Sequence, residues 1–426
     1  MQPLRWTLAI AAAVVCGGLM SAAADVGSPA PAGRRPLPAA TLVEQGRYLA
    51  TLGDCAACHT DKGGQPFAGG LPLDTGFGTV YSPNLTPDRA TGIGSWSGDA
   101  FYRAMHTGHD DEGKHLYPAF PYPWFTKVTR ADVYAIKTFL DVLPAVHKEN
   151  RPPQLDWWLS WRPMLAGWNL LNFDSGEFAP DPKQSAQWNR GAYIVEGLGH
   201  CGECHTPKGY LGGAGRSEAL SGGYASGGHQ GWFAPSIAGE QRAGLGSWSA
   251  AEIVEYLKTG SNARTVTAGP MNEVIANSTS HFSDADLAAV AVYLKSLPPR
   301  HDEVGVASID RKALERGQGL FTDQCAGCHM HDGGGIAHVF PPLMGSSAIQ
   351  AREAATVIRV VLDGARVPAL AGQRSYLAMP AFAHKLEDGQ VADVVSYIRN
   401  AWGNRASTVD ADAVAQSRKA LAASGG

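Results

Sequence analysis

The sequence has few charged residues and no cluster of basic ones. Charged side chains make up 17% of its 426 residues and hydrophobic ones 44%. This is too little charge for a disordered chain, and enough apolar material for two to four domains with their own cores. Lysine and arginine are nowhere concentrated and the formal net charge is −4, which excludes nucleic-acid binding, because phosphate contacts need clustered positive charge.

Long hydrophobic runs are absent beyond the N-terminus. Arg5, the apolar run Trp6 to Met20 and the small residues 22–24 predict a signal peptide, residues 1–24, cleaved after Ala24. An uncleaved anchor is the alternative, but the run is short and lacks a basic flank. No later stretch approaches the ~18 apolar residues of a membrane span, so any membrane contact is expected to be peripheral or through partners. Without Arg5 the mature chain has 34 basic and 39 acidic residues, a net charge of −5.

Cysteine is scarce, and its arrangement is regular. Cys16 lies in the apolar run that is discarded, which leaves six cysteines in three copies of the pattern C-x-x-C-H, the attachment signature of c-type haem. Two thiols at this spacing can form thioethers with the two vinyl groups of the macrocycle, and the next histidine then becomes the proximal iron ligand. The predicted attachment residues are Cys55, Cys58, Cys201, Cys204, Cys325 and Cys328, and the predicted proximal ligands are His59, His205 and His329.

Disulfides and zinc are the competing interpretations of six cysteines in an exported chain. Neither requires a histidine directly after each second cysteine, and a thioredoxin-like redox pair occurs singly rather than three times. We therefore expect three covalently bound haem c groups.

The sequence around each motif is also repeated. Each copy has an amphipathic stretch before the motif, a proline-containing loop after it, a helical segment ending in glycine and a closing apolar-periodic helix. These features predict an all-α fold of three tandem domains, each a small helical bundle around one haem. The expected organisation is domain 1 at 41–149, a Trp/Pro-rich linker at 150–187, domain 2 at 188–300, domain 3 at 308–403 and a C-terminal tail at 404–426.

Methionine is the expected sixth ligand of an electron-transfer haem. Met379 precedes the closing helix of the third unit and Met271 occupies the corresponding loop of the second, so we predict both as axial ligands. In the first unit, Phe120 occupies the equivalent place and cannot bind iron. Met105 and Met344 align with apolar residues of the other units and are predicted not to be ligands. The sixth ligand of the first haem therefore stays open, with His106, His109 and His115 as candidates.

A proline follows each motif at a similar place in the repeat. Proximal histidines usually donate their second ring nitrogen to a carbonyl, which orients the ring and raises its basicity. We hypothesise that Pro83, Pro235 and Pro342 supply that carbonyl; simple loop geometry is the alternative role.

Longer strings make a more specific resemblance. Residues 41–403 resemble the cytochrome c subunit of membrane-bound alcohol, gluconate, sorbitol and aldehyde dehydrogenases of oxidative bacteria. The segments that carry the resemblance are Ser82-Pro83-Asn84-Leu85-Thr86-Pro87, His115-Leu116-Tyr117-Pro118-Ala119-Phe120-Pro121-Tyr122, Trp188-Asn189-Arg190-Gly191-Ala192-Tyr193 and Gly199-His200-Cys201-Gly202-Glu203-Cys204-His205-Thr206-Pro207.

The resemblance implies class I cytochrome c domains and a place in an electron-transfer complex. Its partners would be a catalytic dehydrogenase subunit of the quinoprotein, flavoprotein or molybdopterin type, and ubiquinone or another cytochrome as acceptor. The implied location is the periplasm, at the face of the inner membrane. Many members of the family have methionine at the position of Phe120. The version with phenylalanine is similar to the cytochrome partners of molybdenum-containing aldehyde or nicotinate-type dehydrogenases.

These features are consistent with two functions. Electron relay requires only that the chain hold three irons close together and tune their potentials. A peroxidase-like haem enzyme would need an open first haem and a polar group such as His109 or His115 above it. The linker tryptophans Trp157, Trp158, Trp161 and Trp168 are expected to pack the linker against neighbouring domains; docking or a membrane-surface role is the alternative.

Overall fold

The computed structural model describes residues 39–157, 159–225, 231–300, 310–368, 370 and 378–423. The predicted signal peptide lies outside these residues. The described chain is mainly helical, and none of its helices has the length and apolar character needed to cross a membrane. The helices are α1 Ala39–Leu52, α2 Cys55–His59, α3 Gly98–Thr107, α4 Tyr122–Phe125, α5 Arg130–Asp141, α6 Met164–Asn172, α7 Ala186–Tyr193, α8 Gly202–His205, α9 Ala250–Thr259, α10 Met271–Asn277, α11 Asp284–Ser296, α12 Arg311–Gln324, α13 Ala326–His329, α14 Ala355–Asp363, α15 Asp388–Asn400 and α16 Ala411–Ala423.

Short antiparallel strands connect the helices. Strands β1 and β2 form a hairpin in which Pro72 faces Tyr81, and β3, from the linker, pairs with β2. Two further pairs, β4–β5 and β6–β7, lie in the second and third units. The strands are β1 Pro72–Thr75, β2 Gly78–Tyr81, β3 Gln154–Leu155, β4 Gly223–Tyr224, β5 Phe233–Ala234, β6 Ala365–Arg366 and β7 Ala378–Met379.

The repeated helices begin and end at residues that suit those positions. The side chains of Ser97 and Ser249 accept hydrogen bonds from the first turns of α3 and α9, and Ser249 forms a full capping box with Glu252. Gly108 and Gly260 end these helices in the left-handed conformation, which costs glycine no steric strain. The predicted helices of all three repeats are confirmed: an entry helix before each motif, a central helix that ends in glycine, and a closing helix. Residues 194–198 continue the entry helix α7 as a π-helical turn.

A glycine at the same place in each repeat lets the entry and closing helices cross closely. A methyl group on Gly46 would overlap the carbonyl oxygen of Ala135 in α5, and one on Gly191 would overlap that of Ala289 in α11. Gly317 stands in the same relation to Asp393 in α15. Each motif is therefore held at the end of an entry helix whose position is set by direct backbone contact.

The first and second units share one hydrophobic core. A single cluster of buried side chains runs from Leu49 and Phe139 in the first unit to Ile194 and Leu294 in the second. The third unit has a separate core that includes Phe321, Leu362 and Val395. The shared core joins the first two units into one packed body.

The linker and the C-terminal segment depart from the simplest expectation. Trp157 and Trp161 are 86% and 64% exposed, so the expectation that these rings pack against neighbouring domains is wrong. Trp168 is half-buried and donates its indole N–H to the carbonyl of Leu211, 2.8 Å away; Trp158 lies outside the described residues. The segment 404–426, expected to be a tail, contains α16, which packs against α14 and α15 through the fully buried Val414.

Candidate haem-binding sites

The three C-x-x-C-H motifs form short helices that follow directly on their entry helices. Helices α2, α8 and α13 each end at the motif histidine. All six thiols are free, although each pair is close in sequence. Burial raises the pKa of Cys55 and Cys201 to about 12 and that of Cys58, Cys204 and Cys325 to about 11, so these five thiols are held neutral rather than as metal-binding thiolates.

Each motif histidine makes the same hydrogen bond to a proline carbonyl. The Nδ1 of His59 donates to the carbonyl oxygen of Pro83 at 2.9 Å, and that of His205 donates to Pro235 at 2.7 Å. His329 donates to Pro341, at 3.0 Å, and not to Pro342 as hypothesised. The loop of the third unit has two adjacent prolines, and the repeat alignment placed the acceptor one residue too late. Because a carbonyl only accepts, Nδ1 carries the proton and Nε2 is left as the metal-binding nitrogen.

A second element of this arrangement was missed by the sequence analysis. Gly69, Gly222 and Gly335 each donate a backbone N–H to the carbonyl of the motif histidine in their own unit, at 2.8 to 3.1 Å. All three have positive φ, and side chains on Gly69 and Gly335 would overlap the proline segment itself. These glycines therefore bring the proline carbonyl beside the imidazole. These glycines follow the motif histidine by 10, 17 and 6 residues, so no fixed spacing in the sequence marked them.

Burial favours the form of histidine that binds metals. It lowers the pKa of His59, His205 and His329, against the smaller opposing effect of the proline carbonyls. A neutral imidazole with its Nδ1 proton fixed is the state that a proximal iron ligand requires.

The predicted methionine ligands lie in different local structures. Met379 is half-buried in β7, where pairing with β6 holds it beside the end of α14. It packs against the same core as Cys325. Met271 is the half-buried first residue of α10, preceded by Gly269, whose positive φ lets the backbone lie against the ring of Trp232. Met105 is buried in the core and Met344 is exposed.

Phe120 is half-buried against the shared core, with its ring 5.5 Å from that of Phe125. The three candidate histidines of the first unit differ in their partners. His106 Nδ1 is 3.1 Å from the carbonyl of Thr126, and His109 Nδ1 is 3.1 Å from the Thr107 hydroxyl. The ring centroids of His115 and His109 are 4.3 Å apart with the planes tilted by 44°, and the buried Nδ1 of His115 has no hydrogen-bond partner among the described residues.

Matching residues of the first two units reach into each other. The Tyr48 hydroxyl of α1 donates to Asp286 in α11, at 2.7 Å, and the Tyr193 hydroxyl of α7 donates to Asp132 in α5, at 2.6 Å. Each hydroxyl also accepts the backbone N–H of the residue that caps the partner's closing helix, Ser283 or Thr129. The entry helix of each unit thus makes the same contacts with the closing helix of the other, in an approximately two-fold arrangement.

The same exchange brings the first two motifs to the interface between the units. Trp124, in α4 of the first unit, covers Gly202 of the second motif and donates its indole N–H to Glu203 at 2.9 Å. In return, α10 of the second unit packs against α2, the helix of the first motif. Contact between motif and partner unit is therefore reciprocal.

The third unit packs on the second through polar contacts and a small apolar cluster around Phe233. The backbone of Phe233 exchanges two hydrogen bonds with the Thr356 side chain, and Ser347 donates to the carbonyl of Gly244. The Asn272 amide, next to Met271, donates to the carbonyl of Arg366 in β6. The strand pair that carries Met379 therefore lies beside the helix that begins at Met271.

The residues present fit a covalent haem at each motif. Free thiols, a histidine with its Nδ1 committed to a carbonyl, and an apolar core beside each motif are the donor set and surroundings that haem c needs. The Cytochrome c family model matches residues 189–298 and 314–402.

Comparison of the whole chain extends this match. It is 41% identical over 403 residues to the gluconate 2-dehydrogenase cytochrome c subunit of Pantoea cypripedii, covering 89% of this chain and 90% of that protein. The chain belongs to the family of dehydrogenase cytochrome c subunits. It is 39% identical over 383 residues to the cytochrome c subunit of the quinone alcohol dehydrogenase of Gluconacetobacter polyoxogenes, covering 86% of this chain and 81% of that protein. It is also 34% identical over 408 residues to the fructose dehydrogenase cytochrome subunit of Gluconobacter japonicus, covering 88% of this chain and 82% of that protein.

Membership in this dehydrogenase cytochrome family defines the chemistry of the chain. Cytochromes c hold their haem covalently, and the chain is an electron-transfer protein. The peroxidase-like alternative is not favoured, because the relatives are named as cytochrome subunits.

Proposed function

We propose that the chain carries three haem c groups and relays electrons from a catalytic dehydrogenase subunit to ubiquinone or another cytochrome. Cys55 and Cys58, Cys201 and Cys204, and Cys325 and Cys328 would form the thioethers. His59, His205 and His329 would be the proximal ligands, with Met271 and Met379 as distal ligands of the second and third haems. The observation that carries the proposal is the hydrogen bond from Nδ1 of the motif histidine to a proline carbonyl, repeated in all three units.

The protein's own contribution is to position and tune the groups. Haem c supplies a one-electron iron couple when bound. The proline carbonyls hold each imidazole in one tautomer and raise its basicity, which favours the oxidised iron. Thioether sulfur at Met271 and Met379 would raise the potentials of the second and third haems above that of a haem without it.

The reciprocal contacts between the first two units support rapid exchange of electrons between their haems. Trp124 on the second motif and α10 on the first leave no solvent layer between the units at these points. The third unit adjoins the second and has its own core, which suits a terminal position in the relay.

The surroundings of the relay are inferred from the relatives and from the sequence. The gluconate and alcohol dehydrogenase names support a catalytic dehydrogenase partner for this chain as well. The predicted signal peptide at 1–24 supports cleavage and a periplasmic location, where haem is attached to exported cytochromes.

A haem count tests the proposal directly. The purified mature protein should give a pyridine-haemochrome value of three haems per chain. Near-infrared magnetic circular dichroism of the oxidised form should show His/Met ligation for two of them. Met271→Ala and Met379→Ala should each remove one His/Met signal, whereas Met344→Ala, at an exposed methionine, should remove none. A count of two haems would refute the assignment. So would a His/Met signal that persists when Met271→Ala and Met379→Ala are combined in one variant.

The sixth ligand of the first haem needs a separate experiment. His115 is the candidate whose Nδ1 has no partner among the described residues, so His115→Ala is the informative variant, with His106→Ala as its control. A bis-histidine signal lost only in His115→Ala would assign this ligand. An unchanged spectrum would exclude His115.

A further inference from the structure

The first unit has a lysine on the glycine that holds its motif histidine. Lys148, between α5 and β3, donates from Nζ to the carbonyl oxygen of Gly69 at 2.6 Å. Gly69 is the residue whose N–H binds the carbonyl of His59, and a methyl group on it would lie 2.4 Å from the carbonyl oxygen of Pro83. Among the described residues, no side chain donates to the carbonyl of the matching glycine in the second or third unit. The cation is therefore a feature of the first motif alone.

The segment that carries Lys148 is anchored beside the proline acceptor. Asn84 follows Pro83 directly and is buried. Its side-chain amide donates to the carbonyl of Val146, and its backbone N–H donates to the side-chain oxygen of Asn150, both at 2.8 Å. These two hydrogen bonds, one on either side of Lys148, hold the backbone of the lysine in place.

A chain of peptide groups leads from the ammonium to the acceptor of the histidine. The carbonyl of Gly69 belongs to the same peptide group as the N–H of Gly70, which donates to the carbonyl of Ser82 at 2.8 Å. That carbonyl forms the amide bond to Pro83. Hydrogen bonds in such a chain polarise one another, here in the direction that draws electron density towards Lys148 and away from Pro83.

Asp61 is the counter-ion of Lys148. Its Oδ2 is 3.5 Å from Nζ, so the ammonium lies closer to the Gly69 carbonyl than to the carboxylate. The two side chains are 33% and 38% exposed, and solvent weakens an ion pair of this kind. Asp61 follows His59 by two residues, so its negative charge acts on the same motif with the opposite sign.

We propose that Lys148 raises the reduction potential of the first haem, the haem for which Phe120 leaves no methionine ligand. A haem without thioether sulfur has a lower potential than one with it. A nearby positive charge favours reduced iron, which carries one positive charge fewer than oxidised iron. Lys148 therefore brings the first haem closer in potential to its neighbours and keeps it usable in the relay. This inference rests on the proposed function.

Spectroelectrochemical titration of the mature holoprotein at low ionic strength tests the proposal. The first haem is identified as the one without a His/Met band in near-infrared magnetic circular dichroism. Lys148→Met should lower the equilibrium constant for its reduction at least about threefold, which is about 28 mV at 59 mV per tenfold change for a one-electron couple. The shift should shrink as salt is added, because the lysine is partly exposed.

Two further lysine variants separate charge from other effects. Lys148→Arg, which keeps the charge, should retain most of the potential. Lys295→Met is the control, because Lys295 also donates to backbone carbonyls, those of Leu245 and Gly246, but in the second unit. It should leave the potential of the first haem unchanged.

Asp61→Asn distinguishes an electrostatic role from a structural one. Removal of the carboxylate should raise the potential of the first haem, whereas loss of the lysine lowers it. A loosened loop would move the potential in the same direction in both variants, and that result would overturn the proposal. Asp61→Asn keeps the bond between Lys148 and Gly69, so it provides the test even if Lys148→Met incorporates no first haem.

The remaining outcomes separate this inference from the relay itself. Three haems per chain with an unmoved first potential in Lys148→Met would exclude a role for the lysine and leave the relay intact. Fewer than three haems in the unsubstituted protein would instead contradict the proposed function.

Discussion

Tyr48 and Asp286 belong to different repeats of the chain, and the tyrosine hydroxyl donates a 2.7 Å hydrogen bond to the aspartate carboxylate. Arg190 adds a bidentate ion pair to the same carboxylate, with both N–O distances at 2.8 Å. Burial raises the pKa of Asp286, but the hydrogen bonds from Arg190 and Tyr48 outweigh burial and leave that pKa below its ordinary value. An ionised Asp286 therefore joins helices α1, α7 and α11.

Removal of the Tyr48 hydroxyl should loosen this junction. Tyr48→Phe keeps the ring and loses a hydrogen bond to a charged group, which is expected to cost about 2 kcal/mol in the free energy of unfolding. Urea unfolding of the holoprotein measures the change. Tyr210→Phe, at a tyrosine that is 98% exposed, should leave stability unchanged. Equal stability of both variants with the unsubstituted protein would show that the exchange of contacts contributes nothing.

Gly317 should tolerate no side chain where α12 crosses α15. Gly317→Ala would push a methyl group into the Asp393 carbonyl, and overpacking of this kind typically costs ~1–3 kcal/mol. Gly319, two residues later in the same helix, has open space around it, so Gly319→Ala should stabilise the helix by up to ~1 kcal/mol. Thermal unfolding followed by circular dichroism compares the pair. The same sign of change for both variants would contradict the crossing argument.

Gly335 should influence the third haem through its proximal ligand. A side chain at Gly335, where φ is +60°, would displace the segment of Phe340 and Pro341 that provides the acceptor for His329. A weaker acceptor makes the imidazole less basic and favours reduced iron, so Gly335→Ala should raise the potential of one haem. Spectroelectrochemical titration resolves the potentials. Gly334→Ala is the control, because Gly334 meets only the side chain of Asp332.

Asp54 should make stability depend on pH. Burial, with a smaller effect from Glu273, raises the pKa of Asp54 to about 8, and its Oδ1 has no hydrogen-bond partner among the described residues. The folded state therefore retains a proton that the unfolded state loses above the ordinary pKa of 3.8. The free energy of unfolding should fall as pH rises from about 4 to 8.

Asp54→Asn removes this ionisation and keeps a residue that tolerates the left-handed φ of 49° found here. The variant should be more stable than the unsubstituted protein at pH 8 by at least about 1 kcal/mol, and equally stable near pH 4. Guanidinium unfolding at several pH values provides the comparison. Asp111→Asn, at an exposed carboxylate, should show no such difference. If the stability of Asp54→Asn changed with pH in parallel with that of the unsubstituted protein, Asp54 would be excluded as the cause.

The local features of this protein follow from short stretches of its sequence. Helix periodicity, serine caps and terminal glycines are short-range signals, so the three sets of entry, central and closing helices could be predicted, and the C-x-x-C-H spacing identified the motif residues. Family membership likewise followed from strings of adjacent residues. The acceptor carbonyl was predictable in the first two units, where the loop has one proline at that place, and failed by one residue at Pro341-Pro342.

Contacts between distant segments became visible in the folded chain alone. The exchange of Tyr48 and Tyr193 between units, the shared core of the first two units and the cover that Trp124 provides for the second motif join residues far apart in sequence. Tryptophan occurs both in cores and at exposed surfaces, so the sequence could not show whether the linker tryptophans are buried or exposed. Trp157 and Trp161 are exposed and belong to none of the cores, a fact that depends on the packing of segments distant in the chain.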